Sequence, residues 1–474
     1  MDKIYRTARE NHLQMGHLTL GDCIKIADEA ATSVSEVIIA EAMHVNKMDK
    51  NEVCSAVIAS FSHNLYATEL GVTSGSSFLF GNIGRELTGI GAPKIIADHF
   101  LNKVLVYTLA TQIGNHSIGL QPCAGTGDSC PYTGFMKALI EDYEDQDKIA
   151  HVAAVVLKIG TMFRAGKTTT GCNMEGFGAG AAALAAGFTE LAGGKPAEIG
   201  KAVVLALSPT IANPCTPRVM VAGLCATHIG GAVMIAKLAS QLAMHTTIPV
   251  TVPVDVMVAM AAAVHPVSAK AIVPMVIKYM EPFFKTNYAV ENYVDLSVKE
   301  SEEERKHEII HKALEEARGL AEKANSIVKP FGAVVVGGSS QAVGSPTNAA
   351  RIVHFLAKGE ITKVTIELYP ELFARRGINV PGILMAAVFG AATDDGIAYK
   401  EVMDKIKQKN ISVQILQTEE SQMQRITLQT AEGIFAIETL NRGGGRLVLK
   451  KAYPSLEAAR EIANKLSIEA VEEE

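Results

Sequence analysis

The sequence predicts a multi-domain protein in which an all-α N-terminal domain is followed by a C-terminal α+β domain. Three observations support this fold class. The chain has 474 residues, which is too long for one ordinary hydrophobic core. Apolar residues recur at helical spacing as far as about Asn287, whereas short β-branched runs follow Pro330. A highly charged segment separates the two patterns.

The first pattern covers residues 1–290 and predicts helices throughout. Segments rich in Gly and Pro interrupt these helices at Gly71–Gly84, Gln121–Gly134 and Ser208–Pro217. One uncharged stretch, Val219–Ala236, approaches the length needed to cross a bilayer, but it contains polar residues and three glycines. A buried core helix is therefore the favoured interpretation, and no membrane association is expected.

Residues 291–328 are predicted to form a charged helical connector, because SVKESEEERKHEIIHKALEEARGLAEKA is a charged amphipathic sequence. Residues 329–474 are predicted to form the α+β domain, closed by a terminal helix. Its predicted strands are FGAVVVGG, KVTIELYP, ISVQILQT, QRITLQTAEG and GRLVLKK. Its other predicted helices lie within Thr347–Lys358, Gly382–Gly390 and Tyr399–Gln408.

Composition excludes several classes of function. The formal net charge is −6 and no Lys/Arg cluster forms a basic patch, so nucleic-acid binding is not expected. The N-terminal stretch has no apolar core of a secretory signal, so we expect a cytoplasmic protein with reduced thiols. Seven cysteines without a CxxC pair match neither a disulfide framework nor a zinc ribbon.

The cysteines are the first candidates for chemistry. Cys215 and Cys225 are ten residues apart, and Cys172 lies before an Ala/Gly-rich run. Their spacing is compatible with buried structural cysteines, and also with three thiolates that hold a [4Fe–4S] cluster and leave one iron open. Cys123 and Cys130 belong to a Pro/Gly-rich loop, where either metal ligation or a substrate-binding turn is compatible with the sequence.

Three further motifs bear on the chemistry. GVTSGSSFLFGNIG, from Gly71, offers hydroxyls and amides that could hold a carboxylate, although a solvated loop would have the same composition. His116 and His228 are candidate general bases, or else ordinary structural histidines. AGKTTTGC lacks the earlier glycine of a P-loop, with Thr161 in its place, so nucleotide binding is rejected.

Taken together, these motifs resemble the iron–sulfur-dependent L-serine dehydratases. In QPCAGTGDSCP, Pro122, Gly125 and Pro131 reproduce the spacing of the family's Pro-Thr-Asn-Gly turn and its second proline. GCNMEGFGAGAAALAAGFTELAGGKP resembles the family's Gly-Cys-x-x-Glu motif and the Ala/Gly-rich helix that it opens. CTPRVMVAGLC is similar to its Cys-Asp-Pro motif with a second cysteine, with Thr216 in place of Asp.

The C-terminal half resembles the family's β-type domain in GGSSQAVGSPTNAARI, VTIELYPELFARRG and NRGGGRLVL. Here the domain order is reversed relative to the familiar single-chain enzymes. Gln341 and Ala342 stand where the family has a histidine and a threonine, and RRGINVPG replaces its Gly-His-Gly-Thr turn. If that histidine transfers a proton in the family, another group must do so in this chain.

The resemblance implies that the N-terminal domain is catalytic and converts L-serine to pyruvate and ammonia. It implies a [4Fe–4S] cluster held by Cys172, Cys215 and Cys225. Glu175, His116, Lys167 and Gln341 are the candidate catalytic residues. The candidate substrate-binding residues are Ser74, Ser76, Ser77, Gly125, Thr126, Ser129, Ser339 and Ser340. The β-type domain would close the site and exclude water.

Two alternatives remain open. The missing histidine and threonine leave room for an L-cysteine desulfidase, or a hydro-lyase for another small hydroxy acid, with the same cluster. A cluster-free binding or regulatory protein on this scaffold is the alternative from another class. In each enzyme reading the partner is a small amino-acid or hydroxy-acid substrate, and the Ala/Gly-rich helices could form the interface of a homodimer.

Overall fold

The structure is a computed structural model. It describes residues 1–89, 91–118, 130–165, 175–214, 220–285, 287–324, 326–328, 334–339, 342–443 and 446–471. The chain divides into two compact units, unit 1 (Met1–Leu320) and unit 2 (Ala321–Glu474). The described chain is mostly helical, and its named strands form one C-terminal mixed sheet. This architecture is compatible with the predicted all-α plus α+β layout.

The named elements of unit 1 are all helical in the residues that the structure describes. In chain order they are α1 (Asp2–Glu10), α2 (Leu20–Ala30), α3 (Val34–Asn46), α4 (Lys50–Ala59), α5 (Ser62–Thr73), α6 (Ile83–Glu86), α7 (His99–Ile118), α8 (Cys130–Asp142), α9 (Gln146–Ala165), a π-helix (Glu175–Ala179), α10 (Gly180–Leu191), α11 (Pro196–Leu207), α12 (Leu224–His245), α13 (Val254–Met280), a 3₁₀ turn (Glu281–Phe283), α14 (Tyr288–Glu291) and α15 (Leu296–Lys323).

Local sequence explains where several of these helices begin. Thr19 and Asp49 are the N-caps of α2 and α4, and each forms a capping box with the acidic residue three positions later. Such boxes satisfy backbone amides that have no partner within the helix. The charged segment predicted as a connector forms α15, none of whose residues is buried. The division between the two units falls inside this helix.

The Ala/Gly-rich helix α10 lies in the centre of the unit 1 core. Residues Gly180 to Thr189 are all buried, and α10 packs against α9, α11 and α12. A Cβ at Gly187 would lie 2.8 Å from a ring carbon of Phe135, so only glycine permits this approach to α8.

Glycines also bring α7 against α5 and α8. A Cβ at Gly71 of α5 would overlap the carbonyl oxygen of Ala110, and one at Gly114 of α7 would overlap that of Ala67. A Cβ at Gly134 of α8 would overlap the backbone of Thr108. Backbone-to-backbone packing therefore fixes the C-terminal half of α7 between α5 and α8.

One helix in the described part of the chain is long and apolar enough to cross a membrane, by length and composition alone. It is Val254–Phe283, with a mean hydropathy of 1.7 in its best window, 22% of which is buried. The stretch expected to be a core helix, Val219–Ala236, overlaps α12, where Ile229, Ala232 and Val233 are fully buried.

Unit 2 is built around a six-stranded mixed sheet in the order β2-β1-β3-β4-β5-β6. The pairs β1–β2 and β5–β6 are parallel, and the three central pairs are antiparallel. The strands are β1 (Ile361–Leu368), β2 (Ser412–Gln417), β3 (Met423–Thr430), β4 (Gly433–Asn441), β5 (Leu447–Tyr453) and β6 (Ala470–Val471). The helices are α16 (Ser345–Leu356), α17 (Pro370–Ala374), α18 (Arg376–Phe389), α19 (Gly396–Gln408) and α20 (Leu456–Lys465).

The sequence-based assignment differs from the structure in three places. The first predicted strand, 331–338, is not a strand in its described part, 334–338. Strand β4 is absent from the predicted set, because Gly433 is typical of a turn that ends a strand, whereas in the structure it starts the next one. The terminal helix ends at Lys465, and β6 follows it.

Candidate functional site

Polar side chains line the last two turns of α7. Gln112 and His116 are four residues apart, so they lie on the same face of the helix. The Nε2 atoms of Gln112 and His116 are 2.7 Å apart. Gln112 is buried and His116 is half-buried. This pair lies at the centre of the candidate site.

The loop after α5 brings Ser77 to the other side of the imidazole. Ser77 and Gly81 exchange two backbone hydrogen bonds, of 3.0 and 2.6 Å, which close the loop into a tight turn. The Ser77 Oγ lies 2.8 Å from Nδ1 of His116 and accepts hydrogen bonds from the amides of Leu79 and Phe80. The Phe80 ring packs edge-on against the imidazole, with 5.5 Å between the ring centroids.

Cys130, the first residue of α8, adds a thiol to this arrangement. Its Sγ lies 2.8 Å from Oε1 of Gln112 and accepts a 3.1 Å hydrogen bond from Nδ2 of Asn115. Oδ1 of Asn115 is buried and has no hydrogen-bond partner among the residues that the structure describes. Ser77, His116, Gln112, Asn115 and Cys130 are called the α7 network below.

Cys225 lies beside this network, in the second position of α12. Both Cys130 and Cys225 are fully buried, and both belong to one apolar cluster. Its other buried members are Leu79, Phe80, Leu109, Ile113 and Ile229. The first turn of a helix favours a thiolate over a thiol, because the amide dipoles point toward the sulfur.

The structure brings two of the predicted site residues, Ser77 and His116, into direct contact. The neighbouring Ser74 and Ser76 are exposed, and the amide of Ser76 donates to Oγ of Ser117 on α7. Ser339 belongs to unit 2, where it is buried and accepts a 3.2 Å hydrogen bond from Nδ2 of Asn379.

Several predicted residues lie outside the part of the chain that the structure describes. The backbone of Glu175 begins the π-helix, but its side chain is not described. The residues outside the described ranges are Gly125, Thr126, Ser129, Lys167, Cys172, Cys215, Ser340 and Gln341. Their assignments, and the proposed cluster ligation, therefore stay predictions.

His228 lines a small cleft one turn along α12 from Cys225. Its ring stacks on Phe177 of the π-helix, with centroids 4.5 Å apart, and its Nε2 is buried without a hydrogen-bond partner in the described chain. The cleft has a volume of about 270 Å³, and Asn213, Leu224, Thr227 and Gly231 complete its lining.

Sequence reasoning missed Gln112 and Asn115, and it left the role of Cys130 open. The segment TQIGNHS contains a signal for Gln112, because this residue precedes His116 by four positions and would share a helix face with it. Such a spacing shows which residues share a face, but it does not show that Cys130 lies opposite them. The position of Cys130 follows only from the packing of α7 against α8.

No group of three or more His, Cys, Asp or Glu side chains with a metal-binding arrangement occurs within the described ranges. Because Cys172 and Cys215 lie outside those ranges, this finding does not bear on the predicted ligand set. A scan of the chain against protein-family models gave no match, and a search among curated proteins gave none either.

Proposed function

We propose that this protein is a [4Fe–4S]-dependent lyase that removes the β-hydroxyl and the amine of a small amino acid, converting L-serine to pyruvate and ammonia. The observation that carries the proposal is the contact between Ser77 and His116 beside the buried thiol of Cys225. These three residues come from separate segments of the sequence; Cys225 belongs to a motif that resembles the family, and Ser77 and His116 are candidates from the residues themselves.

The surroundings of Cys225 suit a cysteine that ligates an iron–sulfur cluster. Cys225 is a fully buried cysteine at the start of a helix, surrounded by apolar residues. A position in the first turn of a helix favours a thiolate, and an apolar surrounding shields a bound cluster from water, although burial without a metal disfavours the charged form of the sulfur. In the proposal, Cys225 joins Cys172 and Cys215 as the three ligands. When bound, such a cluster supplies an open iron that acts as a Lewis acid toward the substrate.

The protein's own groups would bind the substrate and move its proton. Ser74 and Ser76 are exposed on the loop after α5, and their hydroxyls would orient the substrate carboxylate. His116 holds or accepts a proton at Nδ1, against Oγ of Ser77, and would exchange it with the substrate through this hydroxyl. Glu175, Lys167 and Gln341 remain the other proposed proton-transfer groups, and Gly125, Thr126 and Ser129 the other proposed carboxylate contacts.

The proposal is tested by comparing two equally buried cysteines. Cys225 and Cys23 are both fully buried on helices, and burial raises the pKa of the Cys23 thiol to about 12, as expected of an inert structural cysteine. Protein purified without oxygen should be brown and contain about four irons per chain. Cys225→Ala and the triple alanine variant at the proposed ligands should lose this iron, whereas Cys23→Ala should retain it.

Activity assays then identify the leaving group. We expect pyruvate and ammonia from L-serine, with rapid loss of activity in air. Sulfide release from L-cysteine in preference to reaction with L-serine would instead establish the desulfidase. A colourless, iron-free anaerobic preparation would refute the lyase and favour a cluster-free binding protein. A cytoplasmic location and a homodimer remain proposals, which cell fractionation and light scattering would test.

A further inference from the structure

The cleft that His228 lines contains none of the residues of the α7 network. Its volume of about 270 Å³ is one that roughly nine waters would fill. In the described chain its lining consists of Phe177, Asn213, Leu224, Thr227, His228 and Gly231. None of these residues is an acid, a lysine or an arginine. The cleft therefore selects a ligand by hydrogen bonds and by shape.

Asn213 contributes a hydrogen-bond acceptor to the cleft. Its Nδ2 donates to the carbonyl oxygen of Pro209 at 3.1 Å. A carbonyl oxygen can only accept, so the nitrogen of the amide must face Pro209 and the amide cannot turn over. Within the described chain no donor reaches Oδ1 of Asn213. This oxygen is therefore left to accept from a ligand.

Thr227 contributes a second acceptor for the same reason. Its hydroxyl donates to the carbonyl oxygen of Leu224 at 3.2 Å, so its one hydrogen is already used. The lone pairs of Oγ1 stay available, and they can only accept. Thr227 is exposed, so a ligand can reach this hydroxyl from solvent.

His228 is the most buried polar residue of the lining. It is 8% exposed, and its Nε2 has no hydrogen-bond partner in the described chain. Phe177 stacks on the imidazole, with 4.5 Å between the ring centroids, and so holds the plane of the ring. An unpaired buried nitrogen is unfavourable, and a ligand that bonds to the ring would remove this cost. A neutral imidazole always has one unprotonated nitrogen, which accepts.

We infer that this cleft binds the ammonium group of a small primary amine. An ammonium has three N–H donors and no acceptor, which matches the acceptors of Asn213, Thr227 and His228. A carboxylate would need a cation beside it, and the described lining supplies none. The α-amino group of L-serine belongs to the matching class, and for that assignment the inference rests on the proposed function. The binding itself requires neither a cluster nor a reaction.

Two fragments of L-serine separate the amine from the carboxylate. Ethanolamine keeps the amine and the hydroxyl, whereas glycolate keeps the hydroxyl and the carboxylate. Each is titrated into the full chain, purified without oxygen, at a pH of about 8, where ordinary imidazoles are neutral. Ligand-observed NMR measures the two affinities. Ethanolamine should bind about tenfold more tightly than glycolate, because only ethanolamine can donate charge-assisted hydrogen bonds to the cleft.

Substitutions in the lining locate the bound amine. Thr227→Asp adds a carboxylate in the first turn of α12 and should tighten ethanolamine binding by about tenfold. Thr227→Asn has nearly the same shape without the charge, and should keep the affinity within about twofold. His228→Phe keeps a ring against Phe177 but removes both nitrogens, so ethanolamine should bind about fivefold more weakly. His245→Phe, exposed at the end of α12, is the control and should change nothing.

Equal affinities for ethanolamine and glycolate, or an unchanged ethanolamine affinity in Thr227→Asp or in His228→Phe, would overturn the inference. If His228→Phe does not fold, the two substitutions at Thr227 decide alone. This outcome is separate from that of the proposed function. An iron-free, inactive protein that binds ethanolamine in the cleft refutes the lyase and keeps the amine site, whereas a brown, active protein without this preference refutes the amine site alone.

Discussion

Each unit of the molecule buries a glutamine that connects two other side chains, and the two glutamines differ in what they connect. Gln112 in unit 1 lies between the Cys130 thiol and the His116 imidazole. Gln424 in unit 2 donates from Nε2 to the hydroxyls of Ser345 and Thr439, each at 3.0 Å. The first glutamine therefore connects a thiol to an imidazole, whereas the second connects two hydroxyls.

The two amides also differ in which of their atoms make hydrogen bonds. Gln424 uses both hydrogens of one nitrogen, while its Oε1 is buried without a hydrogen-bond partner in the described chain. Gln112 uses both of its ends, with Oε1 toward the Cys130 thiol and Nε2 toward the His116 imidazole. The same residue type therefore braces two hydroxyls in unit 2 and joins a thiol to an imidazole in unit 1.

The brace in unit 2 has a clear structural purpose. Gln424 lies on β3, Thr439 on β4, and Ser345 at the first position of α16. One amide thus ties the start of α16 to two strands of the sheet. The α7 network instead depends on backbone packing between helices, which holds its members at hydrogen-bond distance.

The largest expected effect is that of Gly114→Ala, which removes the support of the α7 network. The new Cβ would overlap the carbonyl oxygen of Ala67, so α7 must move away from α5. We expect a loss of about 3 kcal/mol in the free energy of unfolding, the upper end for overpacking. Denaturant titration measures this loss, and hydrogen exchange should localise it to unit 1.

The matched control is Gly319→Ala on α15, where a Cβ would meet nothing within 4 Å. That exchange should stabilise the exposed helix by about 1 kcal/mol or less, through helix propensity alone. Equal effects of the two alanines would show that the close approach of α5 and α7 is not a constraint.

The second prediction concerns Gln424→Leu, which removes the brace and leaves two buried hydroxyls without their donor. We expect a loss of about 2 kcal/mol in the free energy of unfolding of unit 2. The loss should be the same across the neutral pH range, because none of the three groups titrates there. Chemical denaturation at several pH values measures it.

Gln414→Leu is the control for this variant, because Gln414 is exposed on β2 of the same sheet. Its effect should stay within about 0.5 kcal/mol. A clear pH dependence of the Gln424→Leu effect would contradict the role of Gln424 as a brace between groups that stay neutral.

The smallest expected effect comes from Glu438→Gln, which tests whether the stability of unit 2 depends on pH through this carboxylate. Burial by itself raises the pKa of Glu438. The hydrogen bonds and positive charge of Arg425, together with the charges of Lys450 and Lys451, outweigh burial, so the pKa lies below the ordinary 4.5. The stability from this carboxylate is thus present above pH 4.5 and is lost as pH falls. We expect a loss of about 1 kcal/mol at neutral pH, since Arg425 is partly exposed.

The difference between parent and Glu438→Gln should close as the pH falls below 4.5, which denaturation of both proteins in acid would measure. Glu190→Gln in unit 1 should show the opposite pH dependence of stability. Burial raises the pKa of Glu190 despite a hydrogen bond from Ser35, so its cost to stability appears as pH rises above 4.5. A Glu438→Gln effect that grew in acid would contradict the argument.

Much of the fold could be predicted because it follows from local patterns. Alternation of apolar and polar residues predicts β1 and β3, whose buried residues alternate with exposed or half-buried ones over most of each strand. The same reasoning missed β4, since Gly433 opens that strand with a φ of +145°, which favours glycine, and a glycine at this point of the sequence is also typical of a turn. For the site, the sequence predicts the loop that carries Ser77 and, separately, His116 as candidates. It does not predict the contact between these two side chains.

The sequence by itself determined the helical and strand-rich halves, the charged helix between them, and the candidates Ser77, His116 and Cys225, because each depends on residue type and spacing along the chain. Only the tertiary structure decided that Ser77 meets His116, and that Gln112 connects His116 to Cys130. The physical reason is that glycines 71, 114 and 134 let three helices approach to backbone contact. Such an approach depends on where the neighbouring helices lie, and local sequence does not contain that information.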